Sequence, residues 1–262
     1  MVFVEVCHVG KCRFWYGTGD EMPFFFDLHT HMLCGVDDGA RNEAEMYAML
    51  EMAYADGTRA LCLTPHYSPY LFGDTYEQSE EAFAKLTQYV AKHHPDMYLY
   101  LGHELGYYGS CIEALNEGYC RSIAGSRYVL VDFPENVGFF EIQKAMNHLS
   151  QTGYNPILAH TERYRSLYGK LGWIEEFVES GGKVQINAGS IVGAGGMSAK
   201  SQCKKLLARE LAHIISSDGH NLTTRLPKMS VCMDYLKKNC NAQYIRDLIW
   251  DNACRVILDE QF

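Results

Sequence analysis

Residues 24–66 read FFFDLHTHMLCGVDDGARNEAEMYAMLEMAYADGTRALCLTPH, and this stretch predicts one strand–helix–strand unit. The runs 24–28 and 59–64 are short and largely apolar, as is typical of buried β-strands. Between them lies an apolar stripe with the 3.6-residue period of an amphipathic α-helix. The stripe consists of Met46, Met49, Leu50 and Ala53.

The ends of this helix also carry signals. Asn42, followed three residues later by Glu45, resembles a capping box at the start of the helix. Gly57 is placed where a glycine often terminates a helix. We therefore predict a crossover helix between two parallel strands.

The same pattern recurs along the chain. Short β-prone runs return at intervals of roughly thirty residues, and the seven runs are 24–28, 59–64, 97–102, 127–131, 155–159, 183–186 and 212–216. Further helical patterns cover about 75–93, 139–152, 171–180, 198–211 and 242–257. Repeated right-handed crossovers favour closure of the sheet. The sequence thus predicts an α/β fold with a seven-stranded (β/α) barrel, and an open doubly wound sheet is the alternative.

Composition narrows the class of protein. The 262 residues, 47% hydrophobic and 21% charged, suit one globular domain, and the net charge of −9 argues against a nucleic-acid partner. No apolar run approaches the ~20 residues of a membrane span, and Glu5 and Lys11 interrupt the first residues where a signal peptide would be apolar. The ten cysteines are scattered without a CxxC pair, as expected of reduced thiols. We expect a cytoplasmic protein without membrane insertion.

Histidine and acidic residues follow six of the seven runs, at the end where parallel barrels place their active sites. A lone histidine there is more often a hydrogen-bonding group than a ligand, but recurrence on separate strands predicts a multinuclear metal site. The candidates are His29, His31, one of Asp37 and Asp38, His66, Glu104, Asp132, His160, Asp218 and His220.

Four of these candidates form two pairs, one near the start and one near the end of the predicted barrel. His29 and His31 share one side of an extended chain because side chains alternate with period two, and so do Asp218 and His220. In a closed barrel the two pairs would be neighbours.

Six segments resemble the bacterial protein-tyrosine phosphatases of the PHP type (polymerase and histidinol phosphatase), which belong to capsule and exopolysaccharide operons. The segments are DLHTHMLCGVDDGA, LTPH, YLGHE, YVLVDFP, PILAHTERY and SSDGHNLTTR. The resemblance implies a distorted seven-stranded PHP barrel that spans residues 24–262. Residues 1–23 have no counterpart in that family, so they form an extension of unknown role, and Met22 is a candidate start.

The resemblance also implies three metal ions, usually manganese in that family, although zinc or iron would suit the same ligands. The implied ligand sets are His29, His31, Glu104 and Asp218; Glu104, Asp132 and His160; and Asp38, His66 and His220. Glu104 would bridge two ions. The family usually has glutamate at the position of Asp132, so the shorter carboxylate is expected to loosen the second ion or draw it towards the strand.

The implied reaction is hydrolysis of a phosphomonoester by metal-activated hydroxide, without a covalent phosphoenzyme. Arg163 and Arg225 are suited to clamp the phosphoryl oxygens, although surface cations often pair only with local carboxylates. His66 or a metal-bound water is the candidate proton donor to the leaving phenolate. Four tyrosines are candidates to line the mouth and stack on the phosphotyrosine ring, or else belong to ordinary loop packing, namely Tyr67, Tyr70, Tyr107 and Tyr108.

The expected function is that of a protein-tyrosine phosphatase, and the implied partner is the Tyr-rich tail of a bacterial tyrosine autokinase. Histidinol phosphatase, another small-molecule phosphatase, a PHP nuclease and a non-catalytic metal-binding protein are the alternatives, and the acidic charge disfavours the nuclease.

A cysteine-based phosphatase is the rival chemistry, because residues 7–13, CHVGKCR, fit the C-x5-R loop with Cys7 as nucleophile. The same pattern occurs at 203–209 and 240–246 inside helical patterns, and no helix signal follows Arg13 to stabilise a thiolate.

Overall fold

Parallel strands alternate with helices through residues 24–73 and 75–262, the part of the chain that the computed structural model describes. The strands are β1 (Phe25–Thr30), β2 (Thr58–Leu63), β3 (His66–Tyr67), β4 (Tyr98–Leu101), β5 (Glu104–Gly106), β6 (Tyr128–Asp132), β7 (Asn155–Leu158), β8 (Lys183–Asn187) and β9 (Ile214–Ser216). The α-helices are α1 (Glu43–Ala55), α2 (Tyr76–His93), α3 (Cys111–Glu117), α4 (Phe139–Gln151), α5 (Leu171–Glu179), α6 (Ala188–Val192), α7 (Gly196–Ala208), α8 (Met233–Asn239), α9 (Ala242–Arg246) and α10 (Asn252–Ile257). The predicted α/β class is confirmed.

The strands form two parallel sheets, in the orders β1-β2-β4 and β3-β5-β6-β7-β8-β9. The second and third predicted runs, 59–64 and 97–102, correspond to β2 and β4. After a short break each is followed by a further strand, β3 or β5, that was not predicted. Pro65 lies at the first break, where it lacks a backbone N–H to donate. Backbone hydrogen bonds still join the two neighbouring segments across both breaks. Gly102 N donates to Leu63 O at 2.9 Å, and Glu104 N donates to Pro65 O at 3.0 Å.

The edge strands β1 and β9 meet through the segment that follows β9. Thr30 pairs with Gly219 in an isolated parallel bridge, His31 N donates to Gly219 O at 2.9 Å, and Asp218 N donates to His29 O at 2.9 Å. The predicted contact between the first and the last His/acid motifs is confirmed. A Cβ at Gly219 would lie 2.7 Å from Pro227 Cα, so only glycine fits there.

Helix α1 packs on β2 through the predicted stripe, and Met46, Met49, Leu50 and Ala53 are its buried residues. The predicted capping box forms only in part. The Asn42 side chain accepts from Glu45 N, but the Glu45 carboxylate accepts from Arg41 N instead of reaching back to Asn42. Gly57 follows the helix with a φ of 105°, as its predicted terminal role requires.

The predicted helical pattern 242–257 is helical throughout, and it consists of α9, a π-helical turn at Asp247–Asp251 that was not predicted, and α10. Within the described residues, no helix is both long and apolar enough to cross a membrane. The predictions about the extension 1–23, Met22 and Cys7 fall outside the described residues.

Candidate active site

Nine predicted ligands converge at the carboxyl ends of the strands, and Glu104 lies at their centre. Its Oε2 atom is 3.3 Å from His29 Nε2, 3.1 Å from His31 Nε2 and 3.0 Å from His66 Nδ1. Its Oε1 atom accepts from His160 Nε2 at 2.9 Å. One buried carboxylate thus faces four imidazoles from three segments, the end of β1, β3 and the residues after β7.

The first implied ligand set is held together by short distances. His29 Nε2 and His31 Nε2 are 3.0 Å apart, and Asp218 Oδ1 lies 3.5 Å from the first and 3.6 Å from the second. All of these side chains, with Glu104, are buried. The structure brings this set together.

The other two implied sets also assemble. Asp132 Oδ1 lies 3.5 Å from His160 Nε2, which in turn lies 2.9 Å from Glu104 Oε1. Asp38 Oδ1 lies 3.6 Å from His66 Nε2 and 3.3 Å from His220 Nε2.

Hydrogen bonds from behind orient three of the imidazoles. His31 Nδ1 donates to Asp37 at 2.7 Å, His29 Nδ1 lies 3.2 Å from Gln185 Oε1, and His220 Nδ1 lies 2.9 Å from the carbonyl oxygen of Asp218. A proton held on Nδ1 leaves the Nε2 lone pair free to face the cluster, as in metal-ligating histidines.

Asp37 and Asp38 therefore take different places. Asp37 lies behind the cluster, where it accepts from His31, from His66 N at 2.8 Å and from Gly39 N at 2.9 Å. Asp38 faces the cluster and is half exposed. The sequence did not separate these two roles.

Three further side chains support the cluster, and none of them was among the predicted ligands. Gln185 Oε1 also accepts from His160 N at 2.6 Å, and its amide donates to Asn187, which in turn donates to Asp218 at 2.8 Å. The Tyr164 hydroxyl donates to Asp132 at 3.0 Å. Gln185 lies two residues before Asn187 on one strand, so the alternation of β8 was a usable signal.

Backbone strain accompanies two of the converging residues. His160 has a φ of 28° and Asp218 a φ of 53°, in the left-handed region that residues with a side chain rarely adopt. Such outliers persist where the surrounding structure fixes them, and they often mark functional sites. Here the hydrogen bonds of Gln185 and of the β1 edge hold both residues.

The charges of the cluster are strongly coupled. Burial would raise the pKa of Glu104, yet the charges of His29 and His66 hold that pKa well below its usual range. Burial would lower the pKa of His31, yet the charge of Asp37 raises it well above its usual value. Not every member of the cluster shifts in this direction, since burial and the charge of Glu104 raise the pKa of Asp132, and burial with the charge of His31 lowers the pKa of His220 to about 4.

These residues fit divalent metal ions. Glu104 Oε2, His160 Nδ1 and His220 Nε2 are buried without a hydrogen-bond partner in the described residues. Groups of three or four ligand atoms lie within 4.8 Å of one another, namely His31, Asp38, His66 and His220; His29, His31 and Glu104; and His66, Glu104 and Asp132. A metal would compete with the protons for the same lone pairs.

Two arginines lie at the rim of this cluster. Arg225 Nη2 donates to both oxygens of Asp218, at 2.8 and 2.9 Å, and Arg163 Nη1 lies 3.4 Å from Asp218 Oδ2. Arg163 Nη2 also lies 3.4 Å from Glu135 Oε1. Both side chains are about one-third exposed, 31% for Arg163 and 36% for Arg225, and Arg225 Nη1 also lies 3.7 Å from Asp38 Oδ2.

A cleft of about 220 Å³ opens beside this rim, and its lining includes Asp38, His66, Asp132, Arg163 and Arg225. A neighbouring cavity of about 880 Å³ shares Glu135, Arg163 and Arg225 with the cleft.

The predicted aromatic residues occupy different positions. Tyr67 is buried in the core, where its ring lies 5.4 Å from that of His103, so the structure does not bring Tyr67 to the cleft. Tyr108 packs edge to face on the exposed Tyr70 at 5.7 Å, and it lines neither the cleft nor the cavity. Phe72, which was not predicted, stacks on His66 at 5.3 Å with an interplanar angle of 7°.

Comparison with known proteins assigns the family. Residues 25–258 match the family described as "Capsular polysaccharide synthesis, CpsB/CapC". Tyrosine-protein phosphatase CpsB of Streptococcus pneumoniae is 28% identical over 239 residues, which cover 89% of this chain and 98% of the relative.

Solved structures agree. A chain from the crystal structures of YwqE from Bacillus subtilis and CpsB from Streptococcus pneumoniae, described as unique metal-dependent tyrosine phosphatases, has a TM-score of 0.80 and 26% identity, covering 90% of this chain and 96% of that chain. Histidinol phosphate phosphatase of Lactococcus lactis shares the fold alone, with a TM-score of 0.55 and 15% identity over 82% of this chain and 93% of that chain. The match over residues 25–258 shows that this chain belongs to the CpsB/CapC family of capsular polysaccharide synthesis.

Proposed function

We propose that this protein is a metal-dependent protein-tyrosine phosphatase. The observation that carries the proposal is the convergence of histidines and carboxylates on Glu104, with Arg163 and Arg225 at the rim of the same cleft. The names of the relatives, which are tyrosine phosphatases, support the same reaction.

In this proposal three divalent ions, manganese first among the candidates, are held by the three ligand sets that the sequence implied. When bound, such ions acidify water and withdraw electron density from the phosphoryl group. Glu104 bridges two sets because its two oxygens face different imidazoles.

Arg163 and Arg225 bind the phosphoryl oxygens through the donors that Asp218 and Glu135 do not occupy. His66 is the proposed proton donor to the phenolate, because it is the most exposed of the five clustered imidazoles. Phe72, stacked on His66, is placed to limit the water that reaches the ring.

The finer fold assignment is also proposed. The bridge between Thr30 and Gly219 and the likeness to histidinol phosphate phosphatase support a distorted seven-stranded PHP barrel, formed by residues 24–262, over an open sheet. The proposed substrate is the Tyr-rich tail of a bacterial tyrosine kinase. The eight cysteines of the described residues are free, which supports a location in the reducing cytoplasm.

Metal removal tests the function. Protein stripped with a chelator should lose hydrolysis of p-nitrophenyl phosphate and of a phosphotyrosine peptide, and Mn²⁺ should restore both. Thiol alkylation of the native protein is the control and should leave the rate largely intact. Histidinol phosphate, assayed in parallel, should be a poor substrate. Full activity of the stripped protein would contradict the proposal.

A further inference from the structure

The larger of the two cavities adjoins the cleft in which the phosphoryl group is proposed to bind. The two share Glu135, Arg163 and Arg225, and the cavity extends from there along α6, the start of α7 and the segment after β9. A polypeptide whose phosphotyrosine enters the cleft would therefore lay a neighbouring part of its chain in this cavity.

Two cations in the cavity have no acidic partner. Arg163 and Arg225 are engaged by Asp218 and Glu135, but Arg165 and Lys228, which also line the cavity, form no ion pair within the described residues. The chain as a whole carries a net charge of −9. Unneutralised cations beside the reaction centre thus produce a local field opposite to that of the rest of the molecule.

Part of the cavity wall is apolar. Seven large hydrophobic side chains are exposed in the described residues, and three of them, Val192, Met197 and Val231, line this cavity. Gly193 ends α6 with a φ of 111°, and Lys200 Nζ donates to Val192 O at 3.1 Å. The ammonium group of Lys200 is therefore bound to the backbone of the cavity wall, whereas Arg165 and Lys228 remain available to a ligand.

We propose that this cavity binds a negatively charged side chain of the substrate, close in sequence to the phosphotyrosine. Arg165 and Lys228 attract the anion, and the apolar wall contacts the carbon atoms of the same side chain. A carboxylate and a second phosphotyrosine share this chemistry. The inference rests on the proposed phosphatase function and adds a preference among its protein substrates.

Kinetics with matched peptides test the proposal. A phosphotyrosine peptide with a nearby glutamate should have a KM roughly 3- to 10-fold lower than its glutamine counterpart, the scale of two exposed ion pairs. The kcat should be equal, because neither cation touches the reacting group. A third peptide with a second phosphotyrosine separates the two anion sources. Added salt should erase the preference.

The double variant R165Q/K228Q should lose the KM preference and keep wild-type hydrolysis of p-nitrophenyl phosphate, which also shows that it is folded. The control K237Q/K238Q changes the net charge equally on the exposed surface of α8 and should keep the preference. Equal KM values in the wild type, or a preference that survives in R165Q/K228Q, would overturn the proposal and leave the phosphatase function intact.

If none of the peptides is hydrolysed, the proposed function fails. Fluorescence anisotropy of the labelled peptides then tests whether the cavity binds an anionic side chain. Charge-dependent binding that is lost in R165Q/K228Q would support it, and charge-independent binding would overturn it.

Discussion

Replacing Asp37 by alanine should weaken divalent metal binding although it removes no proposed ligand. The Asp37 carboxylate accepts from His31 Nδ1 at 2.7 Å and from the backbone N–H groups of His66 and Gly39. Without that acceptor, His31 no longer has a fixed proton on Nδ1, so its ring and its Nε2 lone pair lose their orientation towards Glu104.

The size of the effect follows from the bond that is lost. A hydrogen bond to a charged group contributes about 1.5–3 kcal/mol, and this range corresponds to about 10- to 100-fold in affinity. Removal of a residue that hydrogen-bonds a metal-ligating side chain typically weakens metal affinity by a similar factor. The measurement is titration calorimetry of Mn²⁺ with chelator-treated protein.

Asp56 offers a matched control far from the cluster. Its carboxylate also accepts from two backbone N–H groups, those of Met229 at 2.7 Å and Ser230 at 2.8 Å, and from the Ser230 hydroxyl. D56A should lower the free energy of unfolding in urea and leave Mn²⁺ affinity unchanged. If folded D37A binds Mn²⁺ as tightly as the wild type, the orienting role of Asp37 is wrong.

Three further predictions concern catalysis, pH and packing. R163A and R225A, assayed at saturating Mn²⁺, should each lose roughly 10²–10³-fold in kcat/KM, and lysine should restore only part of it. R225A, which removes the donor to both oxygens of Asp218, should also bind Mn²⁺ less tightly; wild-type rates would remove both arginines from the site. Burial lowers the pKa of His213 to about 3, so as pH falls this histidine is protonated in the unfolded chain before it is protonated in the folded protein. Acidification from pH 7 to pH 5 should therefore lower the unfolding free energy of the wild type, and in H213L this loss should be about 2 kcal/mol smaller. A Cβ at Gly39 would lie 1.7 Å from His31 O, so G39A should cost about 3 kcal/mol in urea unfolding; an unchanged midpoint would contradict the close approach.

Hydrophobic periodicity was sufficient to locate β1, β2, β4 and β6 to β9 and most helices, because buried stripes repeat regularly. It could not show β3 and β5, because these short strands, HY and ELG, contain no apolar run. The π-helical turn within 242–257 was hidden for a different reason, because Leu248, Ile249 and Val256 remain buried across it.

The converging residues were predictable because polar groups at the ends of buried strands are conspicuous. Tyr67 shows what was overlooked. It follows His66 directly on β3, and alternate side chains of a strand face opposite sides. With His66 in the cluster, Tyr67 had to face the core, as it does. The roles of Asp37 and Asp38 depend on a turn whose geometry no periodicity encodes.

The contact between β1 and the segment after β9 affects when the protein can fold during its synthesis on the ribosome. Thr30 bonds to Gly219 across a sequence separation of 189 residues. A nascent chain carries His29 and His31 long before Asp218 and His220 emerge, so the two ligand sets that include Asp218 or His220 stay incomplete until late in synthesis. Contacts between such distant residues form slowly and late. Metal capture by these two sets should therefore report the final stage of folding, and partly made chains should have no hydrolytic activity.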